Sequence, residues 1–378
     1  MKKLEENKII DDRKILIHLV CAARPNFMKI APLYHALKKE AWAKPFIVHT
    51  GQHYDIDMSD AFFRDLGIPE PDINLEVGSG SHAEQTARVM MAFEPVCIRE
   101  KPDWIIVVGD VNSTMACALV ASKLGIKVAH VEAGLRSFDR SMPEEINRIV
   151  TDSIADLLFT PSEDGDTNLI REGISKEKIK RVGNIMIDTL VVNLEKARQC
   201  RPGEQFGVKE ENYVFVTLHR PSNVDNKSSL SVIIDRLVKL AKKIPVIFAM
   251  HPRTKKNLQQ FGLDQTINGS GLMISNPLGY HDTIGLVDKA RFVLTDSGGL
   301  QEETTFLGIP CLTLRPNTER PITITNGTNK LSSLDSLEQD ITNLLNGGGK
   351  KGSALELWDG HTAERIIKIL ADIEKQKV

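Results

Sequence analysis

Residues able to transfer protons recur in this chain where short apolar runs end. Asp110 closes the run DWIIVVGD, and Glu132 follows KVAHV. Glu144 and Glu145 open a predicted helix, and His219 ends a further apolar run. Carboxylates and imidazoles accept and donate protons when a ligand lies beside them. These residue types therefore favour acid–base chemistry on a bound small molecule.

A second stretch has the composition of an anion-binding turn. Ser297, Gly298 and Gly299 separate an apolar run from a predicted helix. The first turn of a helix presents free N–H groups and the positive end of the dipole, and glycines let an anion approach the backbone closely. We therefore predict that a phosphate binds here.

Charged residues near this turn and near the first apolar run extend the prediction. Glu302 and Glu303 point about 100° apart on a helix, so one can cap the helix or face solvent while the other reaches a ribose diol. Arg320 offers a cation, and so do Arg24 and Lys29 at the start of the chain's first predicted helix. Phosphate and sugar contacts together indicate a nucleotide.

The elements that carry these residues alternate in a regular way. Short β-branched runs and amphipathic stretches alternate from residue 14 to 198, and the pattern restarts at 213 after a linker at 199–212. We predict an α/β protein of two doubly wound domains, with the ligand at the carboxyl ends of their strands. The predicted domains are residues 1–198 and 199–358, and a last helix within 359–378 packs back on the first.

Composition limits the class of partner. The chain has 48 basic and 50 acidic residues and a net charge of −2, which gives no basic excess for nucleic acid or an anionic membrane. Its five cysteines lack paired spacing, as is typical of reduced thiols. It has neither a signal-peptide pattern nor an apolar run of about 18 residues. We expect a cytoplasmic protein without nucleic-acid or membrane partners.

Common cofactor and metal motifs are missing from the sequence. The stretch GSGSHAEQ (78–85) lacks the third glycine of a dinucleotide-binding turn and follows a loop. Neither HExxH nor paired cysteines occur. We therefore expect chemistry from acids, bases and fixed dipoles, without a cofactor or a metal ion.

Most of the candidates also have a structural explanation. Arg24 could pair with a surface acid, and Asp110 could only cap a helix. Glu144 could complement a helix dipole, and His219 could be a core histidine. Glu132 fits such an explanation less well, because an unpaired carboxylate among Val, Ala and Gly is costly. Taken singly, these residues leave both interpretations open.

Eight motifs between about residues 14 and 330 resemble one known family. They are ARPNFMKIAPL, VVGDVNST, HVEAGLRSFDRSMPEEINR, VGNIMIDTL, TLHRPSN, TDSGGLQEE, LGIPCLTLR and TERP. Their order and spacing are similar to those of the non-hydrolysing UDP-N-acetylglucosamine 2-epimerases. The resemblance implies the GT-B architecture, two Rossmann-like domains around a nucleotide-sugar cleft. It also implies a homodimer that interconverts UDP-GlcNAc and UDP-ManNAc for cell-surface polysaccharide biosynthesis.

The resemblance further implies a mechanism and residue roles. UDP leaves C1 while a base removes the C2 proton, and UDP then adds back to the 2-acetamidoglucal with a proton delivered to the other face. The matching catalytic residues are Asp110, Glu132, Glu144 and His219. The matching substrate contacts are Arg24, Lys29, Ser297, Gly298, Gly299, Glu303 and Arg320.

Other positions bear on regulation and on alternative functions. Gln52, His53 and Arg220 match a second UDP-sugar site that activates many bacterial members, although HRPSN replaces their usual HRREN. Tyr280 and Thr283 are candidates for uracil contacts. The motifs also fit a hydrolysing epimerase that releases ManNAc and UDP, an epimerase of a modified UDP-sugar, a GT-B glycosyltransferase, or a nucleotide-sugar-binding regulator.

Overall fold

A computed structural model of the protein describes residues 13–51 and 65–376, which form two parallel sheets. Among these residues the first sheet has the order β3-β2-β1-β4-β5-β6-β7 and the second has the order β10-β9-β8-β11-β12-β13. The strands of the first sheet are β1 (Ile15–Cys21), β2 (Ala43–His49), β3 (Ile73–Asn74), β4 (Trp104–Val108), β5 (Lys127–Val131), β6 (Leu157–Thr160) and β7 (Ile179–Arg181). Those of the second are β8 (Val214–Thr217), β9 (Val246–Ala249), β10 (Leu272–Ser275), β11 (Phe292–Thr295), β12 (Cys311–Leu314) and β13 (Asn329–Ser332).

Helices connect the strands and cover the sheets, which confirms the predicted α/β fold class. The helices with described bounds are α1 (Arg24–Lys38), α2 (His82–Glu100), α3 (Asn112–Lys123), α4 (Pro143–Ile154), α5 (Glu163–Arg171), α6 (Ile185–Cys200), α7 (Pro202–Gln205), α8 (Pro221–Val224), α9 (Lys227–Ala241), α10 (Pro252–Phe261), α11 (Asp264–Ile267), α12 (Tyr280–Asp288), α13 (Gly298–Leu307), α14 (Ile322–Thr325), α15 (Leu337–Leu345) and α16 (Thr362–Lys375). No helix within residues 13–51 and 65–376 is both long enough and apolar enough to cross a membrane.

The first strand of each sheet lies inside that sheet, so each sheet has a topological switch point beside that strand. β1 pairs in parallel with β2 on one side and with β4 on the other, and β8 lies in the same way between β9 and β11. The following helices diverge at such a switch point and leave a crevice at the carboxyl ends of the strands. β4, WIIVV, is buried throughout because helices cover both faces of the sheet.

The last helix, α16, returns to the first sheet. Trp104 of β4 donates its indole N–H to Glu374 at 2.8 Å, and Trp358, just before α16, donates to the carbonyl of Pro161 at 3.0 Å. The carboxylate of Asp188, on α6, accepts the backbone N–H groups of Thr362 (3.0 Å) and Ala363 (2.7 Å). One residue of α6 thus caps the first turn of α16 and fixes its position.

Replacing Asp188 with alanine is expected to lower the free energy of unfolding by about 1–3 kcal/mol, because two buried N–H groups lose their acceptor. Urea unfolding measures the change. The matched control is Asp372→Ala on the exposed side of α16, where a change within about 0.5 kcal/mol is expected. Equal losses in the two variants would contradict the role of Asp188 as a cap.

Candidate active site

The carboxyl ends of β4 and β5 carry two of the predicted acids. Asp110 lies two residues beyond β4, and its side chain is 30% exposed. Glu132 follows β5 directly and is 3% exposed. Because β4 and β5 are neighbours, the structure brings both acids to adjacent strand ends. Glu144 lies half-buried in the first turn of α4, the next helix along the chain.

Glu132 combines an unusual backbone conformation with a buried ion pair. Its φ is +70°, a left-handed value that is uncommon for residues with a side chain and that recurs at functional sites. Its carboxylate pairs with the ammonium group of Lys29, which is also buried. Gly109, at φ +67°, gives this pair room, since a Cβ there would lie 2.9 Å from Lys29 Nζ. The pair explains how a carboxylate is retained in this apolar setting.

Arg320 connects the two halves of the chain across the crevice. It is 7% exposed, and its Nη2 lies 3.8 Å from Oε1 of Glu132. On its own side, its Nε lies 2.7 Å from Oε1 of Glu302, and its Nη1 pairs with Glu319. The predicted phosphate-binding cation and a predicted catalytic acid are therefore in one cluster of charges.

The two carboxylates on the Arg320 side respond differently to this setting. Burial raises the pKa of Glu302 to about 7, against the opposing charge of Arg320. Burial would also raise the pKa of Glu319, but Arg320 and Arg315 together hold it well below its usual range. Sequence reasoning missed Glu319 as a site residue, although it stands beside Arg320 in the motif TERP.

Asp110 is held by a residue that sequence reasoning also missed. The guanidinium of Arg148, on α4, forms an ion pair with Asp110 and with Glu145. Glu145, next to the predicted Glu144, is 1% exposed and accepts the backbone N–H groups of Ser137 (3.0 Å) and Phe138 (2.9 Å). Of the adjacent glutamates, Glu145 therefore supports the structure, while Glu144 is the more accessible.

His219 is a positioned surface histidine rather than a core residue. Its side chain is 40% exposed, and Nδ1 lies 3.0 Å from Oδ1 of Asp296. Asp296 is fully buried and also accepts the N–H of Arg220 and the amide of Asn223, each at 2.9 Å. No residue of the described part of the chain hydrogen-bonds Nε2 of His219. The only sequence signal for Asp296 was its place directly before the predicted anion-binding turn.

The predicted anion-binding turn opens helix α13 at Gly298, with Ser297 in the N-cap position. A Cβ on Gly298 would lie 2.9 Å from Nη1 of Arg320 and 3.0 Å from Oε1 of Glu319. A Cβ on Gly299 would meet only Met186, at 3.8 Å. Gly298 is therefore already required by the packing of Arg320, whereas Gly299 has free space around it.

This difference predicts opposite effects for two alanine substitutions. Gly298→Ala should displace Arg320 and lower the free energy of unfolding by about 1–3 kcal/mol. Gly299→Ala, its matched control, should leave stability unchanged or raise it by about 0.5–1 kcal/mol, as alanine does in helices. Urea unfolding distinguishes them. A Gly299→Ala protein of full stability that binds UDP more weakly would support close approach of a phosphate to this backbone, and equal loss of stability in both variants would contradict the packing role of Gly298.

The expectation that either Glu302 or Glu303 caps the helix or faces solvent is wrong. Glu302 is 1% and Glu303 is 4% exposed. The sequence pattern correctly predicted that both residues lie on a helix. However, α13 is covered on both of these faces, and Arg320 provides the positive charge that the buried carboxylate of Glu302 needs.

Three of the predicted side chains lie outside the described residues, and a fourth, Arg220, lies beside the predicted anion-binding turn. Gln52 and His53 lie outside the described residues, and so does the side chain of Arg24, although its backbone begins α1. Arg220, predicted for a second UDP-sugar site, donates from Nε to the carbonyl of Asp296 at 3.1 Å. Burial lowers the pKa of Arg220, and the positive charge of Arg315 lowers it further. Arg220 therefore lies among the charged residues next to the predicted anion-binding turn.

The suggested uracil contacts lie on helix α12. Tyr280 is 2% exposed and belongs to the apolar core that includes Ile187 and Leu190 of α6. The hydroxyl of Thr283 donates to the carbonyl of Gly279 at 2.8 Å.

Among residues 13–51 and 65–376, no three His, Cys, Asp or Glu side chains are grouped as metal ligands.

Known proteins match this chain over nearly its whole length. The family model described as UDP-N-acetylglucosamine 2-epimerase matches residues 35–371. A UDP-N-acetylglucosamine 2-epimerase of Methanococcus maripaludis is 42% identical over 365 residues, which are 94% of this chain and 98% of the relative. A UDP-2,3-diacetamido-2,3-dideoxy-D-glucuronate 2-epimerase of Pseudomonas aeruginosa is 40% identical over 82% of this chain and 86% of its own.

Solved structures agree with these matches. The crystal structure of the Methanocaldococcus jannaschii UDP-GlcNAc 2-epimerase in complex with UDP-GlcNAc and UDP has a TM-score of 0.86 to this chain at 42% identity. The match covers 94% of this chain and 99% of that one. The two chains therefore share their fold over nearly the whole matched length.

Proposed function

Because the chain belongs to the UDP-N-acetylglucosamine 2-epimerase family, we propose that it interconverts UDP-GlcNAc and UDP-ManNAc by reversible inversion at C2. One observation carries the proposal: Glu132, from the first half, lies 3.8 Å from Arg320, which packs against the anion-binding turn of the second half. A sugar held there has acids at its ring and a cation at its diphosphate.

Elimination is the route that such a site can support. C2 of this sugar is not next to a carbonyl, so its proton is weakly acidic and direct abstraction is unfavourable. When the C1–O bond to UDP breaks, its electron pair leaves with UDP, and the C2–H electron pair forms the C1=C2 bond while the proton goes to a base. Re-addition of UDP with a proton delivered to the other face of C2 gives the epimer. This chemistry needs acid–base groups and a stabilised leaving group.

We assign the proton transfers to the first half of the chain. Asp110 and Glu132 lie at adjacent strand ends, and Glu144 is the accessible acid at the start of α4. Lys29 pairs with Glu132 and keeps it in place. General acid–base catalysis by such groups contributes about 10²- to 10⁴-fold to a rate.

We assign the leaving group to the second half. The backbone of Ser297, Gly298 and Gly299 at the start of α13 binds the diphosphate, together with Arg320. His219, oriented by Asp296, lies at the end of β8 and donates a proton or a hydrogen bond to the departing phosphate oxygen. Glu303 binds the ribose. These interactions stabilise the charge that develops on UDP.

The test follows the sugar by proton NMR after the protein is incubated with UDP-GlcNAc in deuterated water. Formation of UDP-ManNAc with deuterium at C2 is the expected result. Free ManNAc would show hydrolysis, and no change with tight UDP binding would show a transferase or a binding protein.

UDP-2,3-diacetamido-2,3-dideoxy-D-glucuronate is the second candidate substrate, because the Pseudomonas aeruginosa relative is nearly as similar to this chain. Turnover of that sugar alone would reassign the substrate.

A further inference from the structure

Arg148 is a buried cation at the edge of the proposed site. Its side chain is 2% exposed, so it is covered by protein rather than open to a ligand. Its Nη1 pairs with Oδ2 of Asp110, and its Nη2 and Nε lie 2.7 and 3.1 Å from Oε2 of Glu145. Arg148 therefore contacts the proposed acid–base residues through the carboxylate of Asp110, and the charge of Glu319 also acts on it.

Glu145 gives Arg148 a fixed support. Besides Arg148, it accepts the backbone N–H and the hydroxyl of Ser137, both at 3.0 Å, and the N–H of Phe138 at 2.9 Å. A buried carboxylate with this many donors has little freedom to move. The planar guanidinium is consequently held on one side by Glu145 and presents its remaining edge to Asp110.

The same helix holds Asp110 at a second point. Asn147, next to Arg148 on α4, donates its amide to the backbone carbonyl of Asp110 at 2.9 Å. No described residue hydrogen-bonds Oδ1 of Asp110, and the side chain is 30% exposed. One carboxylate oxygen is thus anchored, and the other is left for a ligand.

We propose that Arg148 is a positioning residue that holds the carboxylate of Asp110 in the geometry needed for proton transfer at the sugar. The inference rests on the proposed function, because it takes Asp110 as a group that touches the substrate. A displacement of about 1 Å at a reacting group can cost about 100-fold in rate. Loss of Arg148 therefore affects turnover more than binding of UDP, which lies with the second half of the chain.

The experiment compares Arg148→Lys with Arg136→Lys. Lysine keeps the charge but replaces the planar guanidinium with a single ammonium group, so the fixed geometry between Glu145 and Asp110 is lost. We expect Arg148→Lys to lower kcat about 100-fold, with KM and the UDP dissociation constant changed less than about threefold. Arg136 is equally buried and pairs with Asp152 and Glu172, so its lysine variant is a matched control that loses stability without a selective fall in kcat.

Two further measurements separate a positioning role from a structural one. In an Asp110→Asn background, Arg148→Lys should reduce the residual exchange rate by less than about twofold, because both changes act through one carboxylate. Crystal structures of the UDP complexes should show the Asp110 carboxylate displaced in Arg148→Lys. If Arg148→Lys does not fold, Glu145→Gln loosens the same support, and the same selective loss of kcat is expected.

The inference is overturned if Arg148→Lys keeps the wild-type kcat, if Arg136→Lys loses kcat equally, or if Asp110 does not move in the crystal structures. Failure of the proposed function gives a different result: the wild-type protein would leave UDP-GlcNAc unchanged. The crystal structures still report the position of Asp110 in that case, so the two failures are distinguishable.

Discussion

Replacing Asp110 with asparagine is expected to lower the rate of deuterium exchange at C2 of UDP-GlcNAc by about 10²- to 10⁴-fold, the usual contribution of a general acid or base. The amide has nearly the shape of the carboxylate but cannot accept the proton. UDP binding should stay within about threefold of the wild type, because the leaving group is assigned to other residues. Proton NMR in deuterated water measures exchange, and calorimetry measures UDP binding.

The matched control for this variant is Asp103→Asn. Asp103 lies just before β4, at the opposite end from Asp110, and its carboxylate accepts the N–H of Leu16 at 2.8 Å and pairs with Arg13 at 2.6 Å. That variant should exchange C2 at the wild-type rate. Unchanged exchange in Asp110→Asn would remove Asp110 from the mechanism, and lost UDP binding there would point instead to a disturbed fold.

Most strands could be predicted from sequence periodicity. The predicted strand at 103–110 corresponds to β4, and the acids expected at strand ends lie at neighbouring ends because parallel strands terminate at one edge of a sheet. β3 was missed, since its two residues, Ile73–Asn74, are too short for any periodicity. β13 (Asn329–Ser332) was missed because its sequence, NKLS, lacks an apolar run. The predicted linker at 199–212 contains the short helix α7.

The partners of the site residues could not be predicted in the same way. Asp296 contacts His219 from 77 positions away in the sequence, and Arg148 pairs with Asp110 from 38 positions away. Such pairs depend on how the elements pack, and a single sequence records no distance between them. The role of Gly298 shows the same limit. The composition of its turn suggested a ligand, but the atoms nearest to a Cβ added at Gly298 belong to Arg320 and Glu319.

Replacing Arg320 with methionine is expected to lower the free energy of unfolding by about 3–5 kcal/mol, as when one partner of a buried ion pair is removed. Arg320 lies beside the carboxylates of Glu132, Glu302 and Glu319. Without it, these groups remain buried close together with less positive charge. The control is Arg253→Met, which breaks an exposed pair with Asp225 and should cost about 0.2–1 kcal/mol.

The stability lost in Arg320→Met should grow with pH. Burial raises the pKa of Glu302 to about 7 from its ordinary 4.5, so between these values the folded protein holds a proton that the unfolded chain has released. Stability therefore falls as pH rises through this range. Arg320 opposes the shift, and its removal raises the pKa of Glu302 further and extends the fall to higher pH. Urea unfolding at pH 5 and pH 8 should show the larger difference from the wild type at pH 8.

UDP binding separates the structural role of Arg320 from its proposed role at the diphosphate. A hydrogen bond to a charged group is worth about 1.5–3 kcal/mol, so Arg320→Met should weaken UDP binding by more than about tenfold. Calorimetry below the unfolding temperature of the variant measures this while the protein is folded. If stability falls but UDP affinity does not change, Arg320 only neutralises Glu132, Glu302 and Glu319. The diphosphate would then depend on the N–H groups of α13 and on His219.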